Sequence, residues 1–510
     1  MKALISVSNK ENLLPFAKGL MELGWEIVST GGTYQRLQEN GIEVTGISEL
    51  TGFPECLEGR VKTLHPKVHG GILAKRENES HQQQARNLGI EMIDMVVVNL
   101  YPFRETVLKP GVTLEEVIEN IDIGGPTMLR SAGKNYQDVL VLCDPEDYKW
   151  VLEKLQKGEK LEMEERYRLA WKVFQHTAAY DALISEYLRR KAGLPLSSHP
   201  TFTYDLKQQL RYGENPHQKA WYYREPLASS GDLTEAVQLH GKELSFNNIN
   251  DTEGALKTLR EFVEPAAVAV KHANPCGVAT GSTIMEAYMS AYNGDPISIF
   301  GGILALNREV DAETAAKINE IFIEIVLAPG FTEAALGILT QKKNIRLLKL
   351  DDFQLEESQA FDMKKVSGGL LVQEEDGILY NRNEWRVVTE REPSAEEIRG
   401  LEFAMKVAKH VKSNGIVVAK ENRTLGIGPG QVNRIWAVEH ALNRAVESTR
   451  GAVLASDAFF PFEDCVEKAG EAGITAIIQP GGSMNDQDSI EKANKLGIAM
   501  IFTGTRHFKH

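Results

Sequence analysis

Cysteine is scarce in this chain of 510 residues: Cys56, Cys143, Cys276 and Cys465, widely spaced. They form no CxxC pair and no disulfide framework, so a reducing cytoplasm is the expected setting and a redox or CxxC metal motif is excluded. No segment approaches the roughly 20 apolar residues that a bilayer-spanning helix needs. The chain opens on Lys2-Ala-Leu-Ile-Ser-Val, a strand pattern without a signal-peptide cleavage region. A cytoplasmic protein with no membrane partner is therefore expected. Positive charge is also in deficit, with 57 Lys and Arg against 71 Asp and Glu and a formal net charge of −14. Without a basic stripe or interleaved aromatic run, nucleic acid is excluded as a partner, because such binding depends on neutralising phosphates.

What is present reads as a globular α/β protein. Apolar residues make up 42% and charged residues 25%, within the ordinary globular range, and the length allows about two to four domains. Ala3–Ser8, Trp25–Thr30, Met95–Val98 and Val139–Leu142 read as strands. Between them lie helical patterns, such as Leu13, Ala17, Leu20 and Leu23. Thr113 and Glu116 form a capping box. This βα alternation predicts a parallel sheet covered by helices. Residues 164–190 predict a long amphipathic helix, and the short polar stretch after it, Ala192–His199, marks a boundary between domains 1–199 and 200–510. The second part predicts strands at Ala266–Val270, Ile297–Leu306, Ile416–Ala419, Val453–Ser456, Ile474–Gln479 and Ile498–Phe502, in two lobes. His410-Val-Lys-Ser-Asn-Gly faintly echoes Val270-Lys-His-Ala-Asn-Pro, which points to an internal duplication.

Against the acidic background, residues 60–69 hold five side chains able to carry positive charge: Arg60, Lys62, His65, Lys67 and His69. Arg60 and Lys62 alternate, so an extended segment projects both to one side, as a phosphate pocket requires; a solvated basic loop is the plainer reading. Ser29-Thr30-Gly31-Gly32-Thr33 joins a strand to a helix start, where glycines allow close approach and free amides favour an anion. A tight turn with Thr33 as N-cap explains the same residues. In a parallel sheet the strand C-termini share one edge. Ser8, Lys10, Gly31, Thr33 and the segment from Arg60 to Thr63 are therefore expected to converge there, joined by Asn99-Leu100-Tyr101-Pro102. Asp122-Ile-Gly124-Gly125-Pro126 opens another helix, with Lys134 farther along it. Tyr101, Asp122, Lys62 and Lys134 have the chemistry of proton transfer.

In the second part, Lys271-His272 follows an apolar strand. A His beside a cation at a strand end is a candidate general base; a His satisfied by a local carbonyl is the alternative. Arg211-Tyr212 pairs a phosphate partner with an aromatic, in what is otherwise an interdomain loop. Asn247, Asn248 and Asn250 cluster amides that read ring edges or cap helices. Phe459 and Phe460 either stack on a ring or fill the core.

The strings SVSNK, STGGT, ELTGFPECLEGRVKTLHPKVHGGILA, NLYPF and IDIGGPTMLRSAGKN resemble the inosine monophosphate (IMP) cyclohydrolase domain of a bifunctional purine-biosynthesis family, similar in fold to methylglyoxal synthase. The segments around Arg211, Asn248, Lys271, Ser413-Asn414, Gly428–Arg434 and Ser456–Phe462 resemble that family's second domain, the aminoimidazolecarboxamide ribonucleotide formyltransferase. The resemblance runs over nearly the whole chain. It implies a second domain of two cytidine-deaminase-like lobes, and Pro275-Cys276, with no Cys three residues later and no HxE partner, implies that they carry no zinc. The reaction implied is formyl transfer from 10-formyltetrahydrofolate, a cosubstrate and not a tightly bound cofactor, followed by dehydrative ring closure to IMP.

For the first site the resemblance implies catalysis by Lys62, Tyr101, Asp122 and Lys134. The nucleotide would be held by Ser8, Lys10 and Thr30, by Gly31, Gly32 and Thr33, and by Arg60, Thr63, Asn99 and Gly124. For the second it implies Lys271, His272 and Asn414 as catalytic residues. Substrate contacts would come from Arg211, Tyr212, Asn248, Gly301, Glu324 (where vertebrate members carry Asp) and Arg434. Folate contacts would come from Ile435, Phe459, Asp464, Ser483, Met484 and Arg506. It also implies a homodimer. Two other readings stay open on the residues: a nucleotide-sensing regulatory module, and a deaminase-like nucleoside enzyme.

Overall fold

The computed structural model describes residues 1–353 and 361–510. They fall into two compact units: Met1–Asp205 with Glu225–Leu227, and Leu206–Arg224 with Ala228–His510.

The first unit is built on a five-stranded sheet of β1 (Lys2–Val7), β2 (Glu26–Ser29), β3 (Thr45–Gly46), β4 (Met95–Asn99) and β5 (Leu140–Leu142), in the order β3-β2-β1-β4-β5. Every pairing is parallel. The continuous apolar run Met95–Val98 is buried on both faces, as a central parallel strand must be. Burying each of its valines contributes about 1.5–3 kcal/mol. Helix α1 (Leu13–Glu22) turns Leu13, Phe16, Ala17 and Leu20 to the core. Helix α2 (Gly31–Glu39) follows β2, and α3 (Pro66–Leu73) and α4 (Gly124–Lys134) follow later. The long amphipathic pattern forms α5 (Met163–Lys191), which buries Leu169, Val173, Tyr180 and Tyr187 along one stripe. The Thr113–Glu116 capping box is present, with both reciprocal hydrogen bonds. Strand order reverses between β1 and β4. The crevice at their carboxyl ends is where ligands bind in open α/β sheets.

The second unit carries a twelve-stranded sheet. Its strands are β6 (Val237–His240), β7 (Ala266–Lys271), β8 (Asn274–Thr280), β9 (Ile303–Leu306), β10 (Ile325–Ala328), β11 (Arg346–Lys349), β12 (Arg386–Val387), β13 (Ile416–Lys420), β14 (Arg423–Gly428), β15 (Val453–Ser456), β16 (Ala476–Gln479) and β17 (Ala499–Phe502). The order is β12-β17-β16-β15-β13-β14-β8-β7-β9-β10-β11-β6. It reads as the same six-strand pattern twice, the halves meeting antiparallel at β8 and β14. Helices α6 (Phe246–Leu259) and α7 (Ile284–Gly294) in one lobe correspond to α8 (Ala395–Ala408) and α9 (Arg434–Arg444) in the other.

The duplication is real, but the echo read from the sequence has the wrong register. It pairs Asn274 with Asn414, at the starts of β8 and β13. The topology instead matches β7 with β13 and β8 with β14, so Lys271 corresponds to Lys420. Gly277 and Gly426 mark the true register. A side chain on either would strike a helix carbonyl, that of Ala291 or of Ala441. The expected strand Ile297–Leu306 begins only at Ile303, because 296–301 form turns that leave Ile297 81% exposed. Strands β6, β8, β10, β11, β12 and β14 were not expected. They are two to seven residues long, and such short runs give no distinctive periodicity.

Candidate functional sites

In the first unit, a cavity of about 580 Å³ opens at the carboxyl ends of β1, β2 and β4. It is lined by thirteen of the expected residues: Ser8, Lys10, Thr30, Gly31, Gly32, Thr33, Arg60, Lys62, Thr63, Asn99, Tyr101, Asp122 and Gly124. The amino-terminal ends of α2 and α4 both border it; α2 has no side-chain cap, and on α4 Asp122 takes the Gly125 amide. Free first-turn amides and two helix dipoles make this a place for an anion.

Several of these side chains shape the cavity and are already engaged. Asn99 Oδ1 accepts from the Ser8 and Asn9 amides at 2.6 and 2.9 Å, and its Nδ2 donates to the Asn9 carbonyl. Thr33 is not the N-cap; Thr30 is. The buried Thr33 hydroxyl instead donates to the Val7 carbonyl at 2.9 Å, fixing the end of β1. The Lys62 ammonium lies 3.7 Å from a Glu55 oxygen. A Cβ on Gly31 would sit 3.6 Å from it, in ordinary contact, so the charge rests beside the start of α2. Arg60 pairs with Glu119 at the exposed rim.

Asp122 is the perturbed carboxyl of the cavity. Burial pushes its carboxyl above the usual range, against amide hydrogen bonds from Gly125 and Tyr101 and the charge of Lys62. The Gly125 amide donates to Oδ1 at 2.8 Å. Tyr180 of α5 holds the backbone on either side, accepting from the Asp122 amide and donating to the Asn120 carbonyl. A buried carboxyl near a lysine and an aromatic hydroxyl is equipped to accept and return a proton.

Lys134 is not brought to this cavity. It is the exposed last residue of α4, an 11-residue helix whose first turn faces the site, which puts about 15 Å between the two ends. The sequence places it on the correct helix but at the wrong end. Of the five cationic residues in the basic run, only Arg60 and Lys62 line the cavity. His65 caps α3, Lys67 lies on that helix, and His69 pairs with Ser131.

In the second unit, one sheet edge collects the end of β7, the starts of β8, β9 and β10, the end of β14, the start of β13 and the end of β15. Lys271 ends β7, and its ammonium donates to the carbonyls of Phe300 and Gly301 at 3.0 and 2.8 Å. Gly301 has φ +66 and leaves room for that ammonium. His272 and Ala273 form the two-residue turn to β8, both left-handed with φ 52 and 58. Such turns favour Asn-Gly, so an exposed His held there departs from backbone preference at a candidate site. Asn274 donates to the His272 carbonyl and accepts from the Lys412 amide, tying the turn to the Lys412–Asn414 segment.

Asn414 donates to the Gln431 carbonyl at 2.7 Å, and its Oδ1 accepts from Arg434 at 2.7 Å. Arg434 corrects the expectation of a substrate contact: it is 5% exposed and paired with the fully buried Asp457. Its guanidinium is consumed inside the protein, where it orients Asn414. Sequence reading passed over Asp457, although its place directly after an apolar strand was a signal. Asn248 and Arg346 both donate to Glu324 Oε1, at 3.0 and 3.3 Å. Arg211 and Tyr212 stack on each other after the Asp205–Leu210 strand. Of the expected folate residues, Phe459, Asp464, Ser483, Met484 and Arg506 follow the ends of β15, β16 and β17, and Ile435 lies in the first turn of α9. Phe459 is accessible, whereas Phe460 is core. Cys276 donates to the Ala269 carbonyl, and burial pushes its thiol up to about 12, which leaves it inert.

Known proteins resemble this chain over its full length. A family model described as AICARFT/IMPCHase bienzyme matches residues 132–444, and one described as MGS-like domain matches residues 12–127. The Bifunctional purine biosynthesis protein PurH of Acetivibrio thermocellus is 59% identical over 511 residues, covering 100% of this chain and 99% of its own. The protein of the same name from Ruminiclostridium cellulolyticum is 58% identical with the same coverage. A solved structure, that of ForH, is 44% identical over 36% of this chain and 97% of its own, with a TM-score of 0.34.

Proposed function

Because the chain belongs to the AICARFT/IMPCHase bienzyme family, we propose that its two activities divide between the two units, ring closure in the first and formyl transfer in the second. The chain catalyses the last two steps of IMP synthesis: formylation of aminoimidazolecarboxamide ribonucleotide, then dehydrative cyclisation. The formyl donor is 10-formyltetrahydrofolate, used as a cosubstrate. The observation that carries the division is the cavity at the β1/β4 switch point. It joins two helix starts to Lys62, Tyr101 and Asp122.

In the first site the helix starts and Lys10 hold the 5′-phosphate. Ring closure joins the carboxamide nitrogen to the formyl carbon of the same molecule, so the site chiefly folds the substrate into attack geometry. Lys62 stabilises the developing oxyanion. Tyr101 and Asp122 carry the amide proton towards the oxygen that leaves as water. Asp122→Asn keeps the acceptor for the Gly125 amide but removes the titrating group. Ring closure should fall at least ~10²-fold. Because the folded carboxyl is raised, wild type is stabilised relative to the variant below the ordinary carboxylate range, and that advantage is lost as pH rises through the raised value. Melting followed from pH 4 to pH 8 should show the variant gaining on wild type; a variant that loses ground with rising pH contradicts the assignment.

In the second site the ring amine attacks the formyl carbon, His272 takes its proton, and the bond from carbon to the folate nitrogen breaks with a proton delivered to that nitrogen. Lys271 and Asn414 face the oxyanion. The expected folate residues lie along the same sheet edge but far from Lys271. With strands about 4.8 Å apart, β15 stands about 19 Å and β17 about 29 Å from β7. We therefore propose a homodimer in which each formyl-transfer site takes Lys271-His272 from one chain and Phe459 and Arg506 from the other. Co-expression of His272→Ala and Arg506→Ala chains should restore about a quarter of wild-type transfer through hybrid dimers with one intact site. No restoration in isolated hybrids would place the whole site within one chain. Among the described residues no helix is long and apolar enough to cross a membrane, and a cytoplasmic location is proposed.

A further inference from the structure

We propose that His507 is a positioning residue for formyl transfer: a buried, doubly protonated imidazole that pins the C-terminal strap over the Ser413–Asn414 segment. The proposal rests on the formyltransferase reading of the second unit. The strap, residues 503–510, follows β17 without regular structure. His507 is 1% exposed. Its Nδ1 lies 2.7 Å from Asp376 Oδ2 and its Nε2 lies 2.7 Å from the Leu379 carbonyl. A carbonyl only accepts, and so does an ionised carboxylate, so both ring nitrogens must carry hydrogen. A protonated Asp376 is the other way to satisfy Nδ1. Burial favours that form, but the His507 contact outweighs it and holds the Asp376 carboxyl below the usual range.

The pin reaches Asn414 by a short path. The His507 amide donates to the Asp457 carbonyl at 2.9 Å, and the Ser413 amide donates to the Lys509 carbonyl at 2.8 Å. The Ser413 hydroxyl bonds the Asp457 carboxylate, which pairs with Arg434, which in turn holds Asn414 Oδ1. The charged and titratable groups around the pin are Asp376 on the segment after the Gly369–Glu374 strand, Lys409 and His410 at the end of α8, Asp457 after β15, and Lys509 on the strap itself. Burial drives His410 down to about 4 despite its bond to Glu261, so that histidine is neutral across the working range. Without a donor at the Nδ1 position of residue 507, nothing on the strap holds the Asp376 carboxylate. The strap then loosens, and Asn414 leaves the place where it meets the oxyanion.

The test compares the full-length wild type with His507→Gln and Asp376→Asn at neutral pH. It follows formyl transfer between aminoimidazolecarboxamide ribonucleotide and 10-formyltetrahydrofolate, with ring closure of supplied formylated ribonucleotide as the control. His507→Gln should lower the formyl-transfer kcat about tenfold, part of the 10²–10³ that a lost oxyanion donor costs, with the nucleotide KM and ring closure unchanged. Asp376→Asn lets a neutral His507 accept from the new amide while still donating to Leu379. It should keep at least half of the wild-type rate, with the nucleotide KM unchanged. Equal loss in the two variants, or a wild-type rate in His507→Gln, would overturn the proposal. Wild-type protein without formyl transfer would instead overturn the formyltransferase reading itself.

Discussion

His272→Ala is expected to lower formyl transfer at least ~10²-fold and leave ring closure of supplied formylated ribonucleotide at the wild-type rate. The side chain is exposed on the sheet edge, beside the only lysine of its turn and one hydrogen bond from the Asn274 bridge to Lys412. An amine conjugated with a ring is a poor nucleophile and needs its proton removed as it attacks, so the base acts in the transition state. Position 272 has φ 52, which alanine adopts poorly. His272→Asn therefore belongs in the same experiment, since asparagine tolerates the left-handed region but supplies no base. The two variants should be equally impaired. If His272→Asn transfers formyl groups at the wild-type rate, His272 shapes the turn and the base lies elsewhere.

Lys62→Ala should remove the larger part of ring closure, by ~10² to 10³ as for other lost oxyanion partners, while nucleotide binding weakens less. Lys62 is one of several cationic and amide groups available to the phosphate, so binding has substitutes. Its ammonium lies beside Gly31 and its charge reaches Asp122, so the transition state has no substitute for it. Isothermal titration with IMP beside steady-state ring-closure rates separates the two quantities. A variant whose binding and turnover fall by the same factor would make Lys62 a phosphate ligand only.

The first unit was largely legible because its signals are redundant. Met95–Val98 is long enough and apolar enough to be a buried strand, α5 repeats its apolar stripe over 29 residues, and parallel topology forces strand ends onto one edge. Gly31, Arg60, Lys62, Tyr101 and Asp122 could therefore be gathered without coordinates. Direction along a helix was less legible. Lys134 shares α4 with Gly124, and nothing in its sequence says that the far end of that helix faces away. In the second unit a lone residue type misled. Arg434 looks like an anion ligand until its partner is known, and the partner Asp457 is 23 positions on. The duplication was visible as a faint echo, but its register depends on Gly277 and Gly426 meeting helix carbonyls, a contact with no periodic trace. The strap was equally hidden, since His507 acquires its meaning only from Asp376 and Leu379, more than 120 positions away.

The division of labour between the units is tested most directly by a fragment ending at Asp205. The cut follows the continuous part of the first unit, retains the ion pair between Arg104 and Asp205 at 2.8 Å, and gives up only Glu225–Leu227 with the Arg104 bond to the Pro226 carbonyl. The fragment keeps its own hydrophobic core and every residue placed in ring closure. It should fold, convert formylated ribonucleotide to IMP at a rate near that of the full chain without any folate, and show no formyl transfer. A folded fragment that binds the nucleotide but never closes the ring would contradict the account, because the first site would then need residues from beyond Asp205.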